Sequence, residues 1–456
     1  MPLSVIILAA GQGSRMKSNR PKVLHQVAGK SMLQHVVDTS KQLNPDQVIV
    51  VIGHHSELVL EQMQNQNLNF VEQTEQLGTG HAVQQCLSKI KDKNDVLVLY
   101  GDVPLISLAT LKSLLKEGEN QTVNILSFIA KDSTGYGRIV RDQNGSVCAI
   151  VEEKDANETE KQIKESNSGI LLISGQHLNL LLDQLNNDNA QQEYYLTDVV
   201  KHAVEKSLPV NASICNCEEE VLGVNNQAQL ANIEKIYRRI RAGKLMTMGA
   251  KLFDPERIDI RGTIEVGMDV EIDINCIFEG SIKLGNNVKI GANCVIKNCT
   301  ISDNTTILPM CSLEDASIGE QVSIGPFSRI RPGTVCLQHS KVGNFVEVKK
   351  STIGKNSKVS HLSYIGDTEM GKDVNIGAGT ITCNYDGVNK FQTIIGDDVF
   401  VGSDSQLIAP VTIARGSTIG AGSSITKDTP ADKLTLARAK QISLDGWQRP
   451  KRLNRE

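Results

Sequence analysis

From Val266 to Ile425 an aliphatic residue recurs every six positions, very often followed by glycine. The frame includes Leu284-Gly285, Ile290-Gly291, Ile318-Gly319, Ile324-Gly325, Val342-Gly343, Ile365-Gly366, Ile376-Gly377, Ile395-Gly396, Val401-Gly402 and Ile419-Gly420. Neither the helical period nor plain strand alternation produces this. A hexad does, when each unit is one short strand and a turn and three units close a triangular coil of roughly 18 residues. The aliphatic residue then points into the prism and stacks on its counterpart one coil on. Small residues are expected where the backbone turns sharply. The spacing therefore predicts a parallel β-helix, with frame slips at Ile296–Ile301, Leu313–Ile318, Val348–Ile353 and Ile365–Met370 and an insertion from Ala378 to Thr393.

A chain of 456 residues exceeds one ordinary core. Residues 3 to 226 alternate apolar strands (Ser4–Ala10, Gln47–Ile52, Val96–Tyr100, Thr122–Ala130, Gly169–Ile173) with helical stretches (Leu33–Gln42, His55–Asn65, His81–Ser88). That order predicts an α/β domain with a Rossmann-like, mostly parallel sheet, whose ligands collect beyond the carboxyl ends of its strands. The expected organisation is an N-terminal domain at 1–226, a linker helix at 227–248, the β-helix at 249–437 and a tail at 438–456. The linker's basic stripe (Lys235, Arg238, Arg239, Arg241, Lys244) reads as a solvated face, and Arg449 to Arg452 as a solvated terminus.

A net charge of -4 leaves no nucleic-acid footprint. The run Val5–Ala10 is too short to span a bilayer, and no later segment qualifies. Ten cysteines include no CxxC pair, and six fall in the repeat, where a small apolar side chain suits a stacked core. Reduced thiols in a cytoplasmic protein are the plain reading.

After the first strand stands Leu8-Ala9-Ala10-Gly11-Gln12-Gly13-Ser14-Arg15-Met16, then Pro21-Lys22. Small residues let backbone N–H groups close on phosphate oxygens, and Arg15 and Lys22 add fixed positive charge. A dinucleotide fingerprint would need glycine at Met16; Gly29-Lys30-Ser31 lacks the earlier glycine of a P-loop, having Leu24 instead. A Gly-x-Gly turn alone is equally at home in a tight loop; Arg15-Met16 and Pro21-Lys22 make the combination more specific. Tyr100-Gly101-Asp102 ends another strand, and Asp102 suits a Mg²⁺ ion shared with substrate phosphates.

In the repeat, polar residues cluster at Arg329–Gly333, Gly343–Lys350, His361–Gly366, Asn375, Thr382–Gly387 with Lys390, and Gly402-Ser403. At coil spacing, Arg331 and Lys349 face the same way, as two cations should for one phosphate, with His361 about one coil beyond.

The first set resembles the sugar-1-phosphate nucleotidyltransferases, and the likeness continues through Gln73, Gly78-Thr79-Gly80-His81-Ala82, Gly135-Tyr136-Gly137-Arg138, Val151-Glu152, Asn167-Ser168-Gly169 and Gly223-Val224-Asn225-Asn226. With the hexapeptide region, the whole chain is similar to the bacterial bifunctional N-acetylglucosamine-1-phosphate uridyltransferases/glucosamine-1-phosphate N-acetyltransferases. The resemblance implies a left-handed β-helix, a homotrimer, and two reactions leading to UDP-N-acetylglucosamine. It implies that Leu8, Ala9, Ala10, Gly11, Arg15, Lys22, Tyr100 and Gly101 surround UTP, with Gln73, Gly78 and Thr79 at the uracil. Gly137, Glu152 and Asn167 would bind the N-acetylglucosamine moiety, and Asp102 and Asn225 would hold Mg²⁺. It assigns glucosamine 1-phosphate to Arg331, Lys349, Tyr364, Asn375 and Lys390, and acetyl-CoA to Ala378, Asn384, Tyr385, Ser403, Ala421 and Arg438. His361 would be the general base, oriented by Glu347, with backbone N–H groups near Tyr385 or Ser403 at the oxyanion. Two rivals stand beside this reading. One is a nucleotidyltransferase whose β-helix is only a scaffold, which would not need Arg331, Lys349, His361 and Asn384. The other is a metal hydratase, which needs a histidine triad where the repeat holds only His339 and His361.

Overall fold

The computed structural model describes residues 2–91 and 93–450. Lys451 and Arg452 of the basic tail lie outside them. The chain divides into two compact units, Met1–Tyr237 and Arg238–Glu456, and the division falls inside the helix Gln227–Thr247. Among the described residues no helix is long and apolar enough to cross a membrane.

The first unit is built on a sheet in the order Val210–Cys215, Val123–Ile129, Glu165–Ile173, Asp95–Tyr100, Leu3–Leu8, Gln47–Ile52, Asn69–Glu72. Only Glu165–Ile173 runs antiparallel to its neighbours along this path. Side chains alternate across Leu3–Leu8: Leu3, Val5 and Ile7 join the core on one face, Ile6 and Leu8 that on the other. Met32–Lys41, Ser56–Met63 and Leu108–Glu117 cover the first face; Thr79–Gln84, Leu178–Leu182 and Asp198–Glu205 cover the second. Ser31 does not serve a phosphate loop. It ends a two-stranded ribbon and caps Met32–Lys41 by accepting from the Gln34 N–H at 3.3 Å.

In the second unit short strands stack in parallel on three faces, one of them an 11-stranded ladder from Lys251–Leu252 to Leu434–Thr435. The register step is 18 residues from Ile258 to Cys276 and 17 from Thr306 to Ser323, which is the frame slip seen in the sequence. Aliphatic residues such as Ile290, Ile307, Ile324, Val342, Val359 and Ile376 form one continuous buried column. Each contributes roughly 1.5–3 kcal/mol on burial.

Apart from Gly325, at φ 100°, the glycine after the aliphatic residue is not the left-handed turn residue. A Cβ on Gly343 would stand 2.0 Å from the Ser360 carbonyl oxygen, so glycine there allows coils to approach. The left-handed corners come later and are mostly Asn or Asp, as at Asn287, Asn304, Asn356 and Asp373. One corner column breaks this rule: Met310, Phe327, Phe345 and Leu362 all have positive φ and are 47–63% exposed. The insertion is also shorter than the sequence suggests. Ile381–Cys383 pairs normally with its neighbours, and the extra residues fall between Cys383 and Thr393. Buried Thr382 holds an aliphatic position, hiding the hexad.

Candidate active sites

In the first unit the parallel strands Leu3–Leu8, Asp95–Tyr100 and Gln47–Ile52 end at one edge of the sheet. A cavity of ≈ 460 Å³ opens there. Leu8, Ala9, Ala10, Gly11, Lys22, Gln73, Gly78, Thr79, Tyr100 and Asp102 all line it. Gln12 and Ala82, from the quoted motifs, line it as well, as do Val23, Gln76 and Glu193, which were not singled out from the sequence. Gly101 lies just behind, its N–H donating to the Leu8 carbonyl at 2.9 Å.

Gly13 takes a left-handed φ of 65°, and a Cβ there would stand 2.7 Å from the Lys22 Cβ. The turn after the first strand is thus fitted against the start of Lys22–Leu24. The Lys22 ammonium contacts the Asp102 carboxylate and donates to the Asn225 side-chain oxygen at 3.3 Å. The Arg15 guanidinium donates to the same oxygen at 3.1 Å. Arg15, Lys22, Asp102 and Asn225, spread over most of the unit in sequence, meet at one point.

Gly137, Glu152 and Asn167 are linked to one another. The Asn167 N–H donates to the Gly137 carbonyl at 2.8 Å, and a Cβ on Gly137 would lie 3.4 Å from the Glu152 carboxylate. The Asn167 side-chain oxygen accepts from the Gly169 N–H at 3.0 Å. Gly169 has φ 85°, and the Tyr100 ring lies where its Cβ would stand, at 2.6 Å. Burial raises the Glu152 carboxyl, and Asp198, Asp155 and Glu193 push the same way, against the Thr197 hydroxyl that donates to it at 3.0 Å. Thr197 is a further residue the sequence reading missed.

In the second unit Asn344, His361, Ala378, Ser403 and Ala421 form a single column, each standing just before a corner. The following residue's N–H donates back one coil every time: Leu362 to Asn344 (3.1 Å), Gly379 to His361 (3.3 Å), Asp404 to Ala378 (2.8 Å) and Gly422 to Ser403 (2.8 Å). The Arg438 guanidinium donates to the Ala421 carbonyl at 2.8 Å. His361 is exposed, and its Nδ1 meets the Asn344 side-chain oxygen at 2.8 Å. Glu347 does not orient it. That carboxylate is taken by the Arg331 guanidinium at 2.7 Å, a charge-assisted bond a neutral imidazole cannot match.

Past the corner, Glu347 pairs with Tyr364 and Lys349 with Gly366 in the ladder. The inserted loop closes on itself through a Tyr385–Lys390 bridge, and the Asp386 carboxylate accepts from the Val388 and Asn389 N–H groups at 2.8 and 2.6 Å. It delivers Lys390 to Lys349. The Lys390 ammonium beside it lowers Lys349, with Arg331 adding to the effect. Three cations thus converge. Asn384 is buried and donates to Asp367, whereas Tyr385 is 59% exposed with its hydroxyl donating to the Gly387 carbonyl. Asn375 stands on the ladder of His361's own face, paired with Lys358 and Phe400.

Comparison with known proteins follows the same two-part division. Residues 5–159 match the MobA-like NTP transferase domain, 260–342 the GMPPB C-terminal domain, and 392–427 the bacterial transferase hexapeptide family (six repeats). Over the whole length, the chain is 52% identical to the bifunctional protein GlmU of Cupriavidus pinatubonensis, covering 98% of this chain and 99% of that one. It is 53% identical to the GlmU proteins of Marinobacter nauticus, covering 99% of both chains, and of Nitrosospira multiformis, covering 98% of both.

Proposed function

The chain belongs to the family of bifunctional GlmU proteins, and from that premise we propose how its residues divide two reactions. It is an enzyme that makes UDP-N-acetylglucosamine for bacterial envelope synthesis. Acetyl-CoA first acetylates glucosamine 1-phosphate. The resulting N-acetylglucosamine 1-phosphate then takes uridylyl from UTP, releasing pyrophosphate.

Acetyl transfer belongs to the second unit. Asn344 accepts the proton-bearing Nδ1 of His361, leaving Nε2 as the bare lone pair. That nitrogen takes a proton from the glucosamine amine as the amine attacks the thioester carbonyl; the C–N bond forms, the C–S bond breaks, and the imidazolium returns the proton to the departing CoA sulfur, which leaves as the thiol. Arg331, Lys349 and Lys390 bind the sugar phosphate, with Tyr364 and Asn375 at the sugar. Acetyl-CoA lies along the column past Ala378, Ser403 and Ala421, with Asn384 and Tyr385 on the inserted loop and Arg438 at the far end. The observation that carries this reading is a histidine held by Asn344 across one coil, with Arg331 and Lys349 stacked on the adjoining face. A scaffold has no use for it.

Uridylyl transfer belongs to the first unit's cavity. A phosphate oxygen of N-acetylglucosamine 1-phosphate attacks the α-phosphorus of UTP, so no carboxylate base is required. Arg15, Lys22 and the N–H groups around Gly11 offset the polyphosphate charge, and Gln73, Gly78 and Thr79 face the base. Gly137, Glu152 and Asn167 hold the amide-bearing sugar. Asp102 and Asn225 already converge on a cation, the Lys22 ammonium, and their hard oxygens suit Mg²⁺. Bound there, Mg²⁺ supplies Lewis-acid neutralisation of the phosphates.

The protein is a homotrimer in the cytoplasm. The exposed corner column Met310, Phe327, Phe345 and Leu362 supports the trimer: two of its rings stack at 5.4 Å, and it flanks the Asn344–His361 pair. Ten free cysteines accord with a reducing compartment. Thiol release from acetyl-CoA with glucosamine 1-phosphate and no UTP tests the assignment. Turnover supports it. A folded protein that uridylylates N-acetylglucosamine 1-phosphate but does not acetylate reduces the β-helix to a scaffold.

A further inference from the structure

We propose that Lys22 is an internal stand-in for the divalent cation, so that the empty nucleotide site resists free metal. The proposal rests on the reading of Asp102 and Asn225 as the Mg²⁺ ligands. Their oxygens face cations of the chain itself. Asp102 is paired with the Lys22 ammonium, both side chains being largely buried at 13% and 16% exposure. The Asn225 side-chain oxygen accepts from Lys22 at 3.3 Å and from Arg15 at 3.1 Å. Asn225 is held in turn, its N–H donating to the Gln229 side-chain oxygen at 2.7 Å. The same two cations are those assigned to the polyphosphate. The four groups therefore form a closed set in which phosphate-binding cations neutralise metal-binding oxygens.

A divalent cation entering this set alone meets a fixed positive charge at its own position. Displacing Lys22 would leave that ammonium largely buried and without its partner. A polyphosphate alone would have to draw Lys22 away and leave Asp102 uncompensated. Metal and polyphosphate arriving together cost neither: Lys22 moves to phosphate oxygens and the metal takes Asp102 and Asn225. The Lys22 backbone can stay in place, because its Cβ is packed against Gly13 while four methylenes carry the charge. Metal and nucleotide binding are thereby coupled, each raising the other's affinity.

Binding of Mn²⁺ to the full-length, nucleotide-free protein, followed by electron paramagnetic resonance, tests this without reference to activity. Lys22→Met should bind Mn²⁺ about tenfold more tightly than the parent, within the usual range of such couplings. Lys22→Arg keeps the cation and should stay near the parent. Asp102→Asn introduced into Lys22→Met should abolish the gain. A Lys22→Met protein that binds Mn²⁺ no better than the parent, while Asp102→Asn still weakens binding, overturns the exchange and leaves the metal ligands standing. Mn²⁺ binding indifferent to Asp102→Asn in both backgrounds overturns the metal-site reading itself. Should Lys22→Met fail to fold, judged by circular dichroism, Lys22→Ala must show the same gain.

Discussion

The cavity of the α/β unit gathers side chains from Leu8 to Glu193, brought together by strand ends and the loops after them. The β-helix site is a column in which Asn344, His361, Ala378, Ser403 and Ala421 recur at coil spacing. In the first, the functional residues come from separate loops and strand ends. In the second, the functional residues are bound into the same hydrogen-bond ladder that stacks the coils. Function in the first unit therefore depends on where the loops set side chains, and in the second on where the coil repeat sets them.

Removing a charge where phosphate chemistry occurs should separate the two units most sharply. Asp102→Ala is expected to lower uridylyl transfer by about a thousandfold and to leave acetyl transfer at the parent rate. Parallel assays of both activities check this, and loss of both in a folded protein would undo the division of labour.

Gly169→Ala comes next. The new Cβ would collide with the Tyr100 ring and sit at an unfavourable φ of 85°. Displacing Tyr100 by about 1 Å should cost uridylyl kcat/KM about a hundredfold. In the β-helix, Asn344→Ala should lower acetyl kcat by about tenfold by releasing the His361 ring. Asn344→Asp should instead restore the rate and move the acidic limb of its pH profile upward, since a carboxylate favours the imidazolium. An unmoved profile would deny Asn344 its positioning role.

The gentlest probe is thermal. Burial raises the Glu152 carboxyl, so the folded unit holds that proton more tightly than the unfolded chain does. Stability from this group is thus greatest at low pH, declines as pH rises from the unfolded value through the raised one, and stays low above it. Glu152→Gln should melt higher than the parent at neutral pH and converge with it on acidification, while losing uridylyl transfer. An equal melting temperature at neutral pH would mean that Glu152 carries no such cost.

What the residue order disclosed follows from the same contrast. In the β-helix, sequence spacing is spatial stacking, so Arg331 and Lys349 could be placed from the hexad alone, whereas His361 stacks one coil beyond Asn344 on another face and not beyond Lys349. The hexad did not show that Thr382 holds a core position, nor that bulky Phe327 and Phe345 occupy left-handed corners normally left to Asn and Gly. It also led to Glu347 as the partner of His361, where the structure has Asn344, because Arg331 claims the Glu347 carboxylate. In the α/β unit the glycine-rich turn and Asp102 stood out as motifs. Asn69–Glu72 and Val210–Cys215, short strands at the two ends of the sheet, did not. Thr197 and Glu193 carried no pattern of their own; the fold alone brings them to Glu152 and the cavity.

The most direct test of the account is to measure both activities on one preparation of His361→Ala. Acetyl transfer to glucosamine 1-phosphate should fall by about 10²–10⁴-fold while uridylyl transfer to N-acetylglucosamine 1-phosphate keeps the parent rate. A variant that acetylates at the parent rate would contradict the general-base assignment. One that loses both reactions while folded would contradict the independence of the two sites.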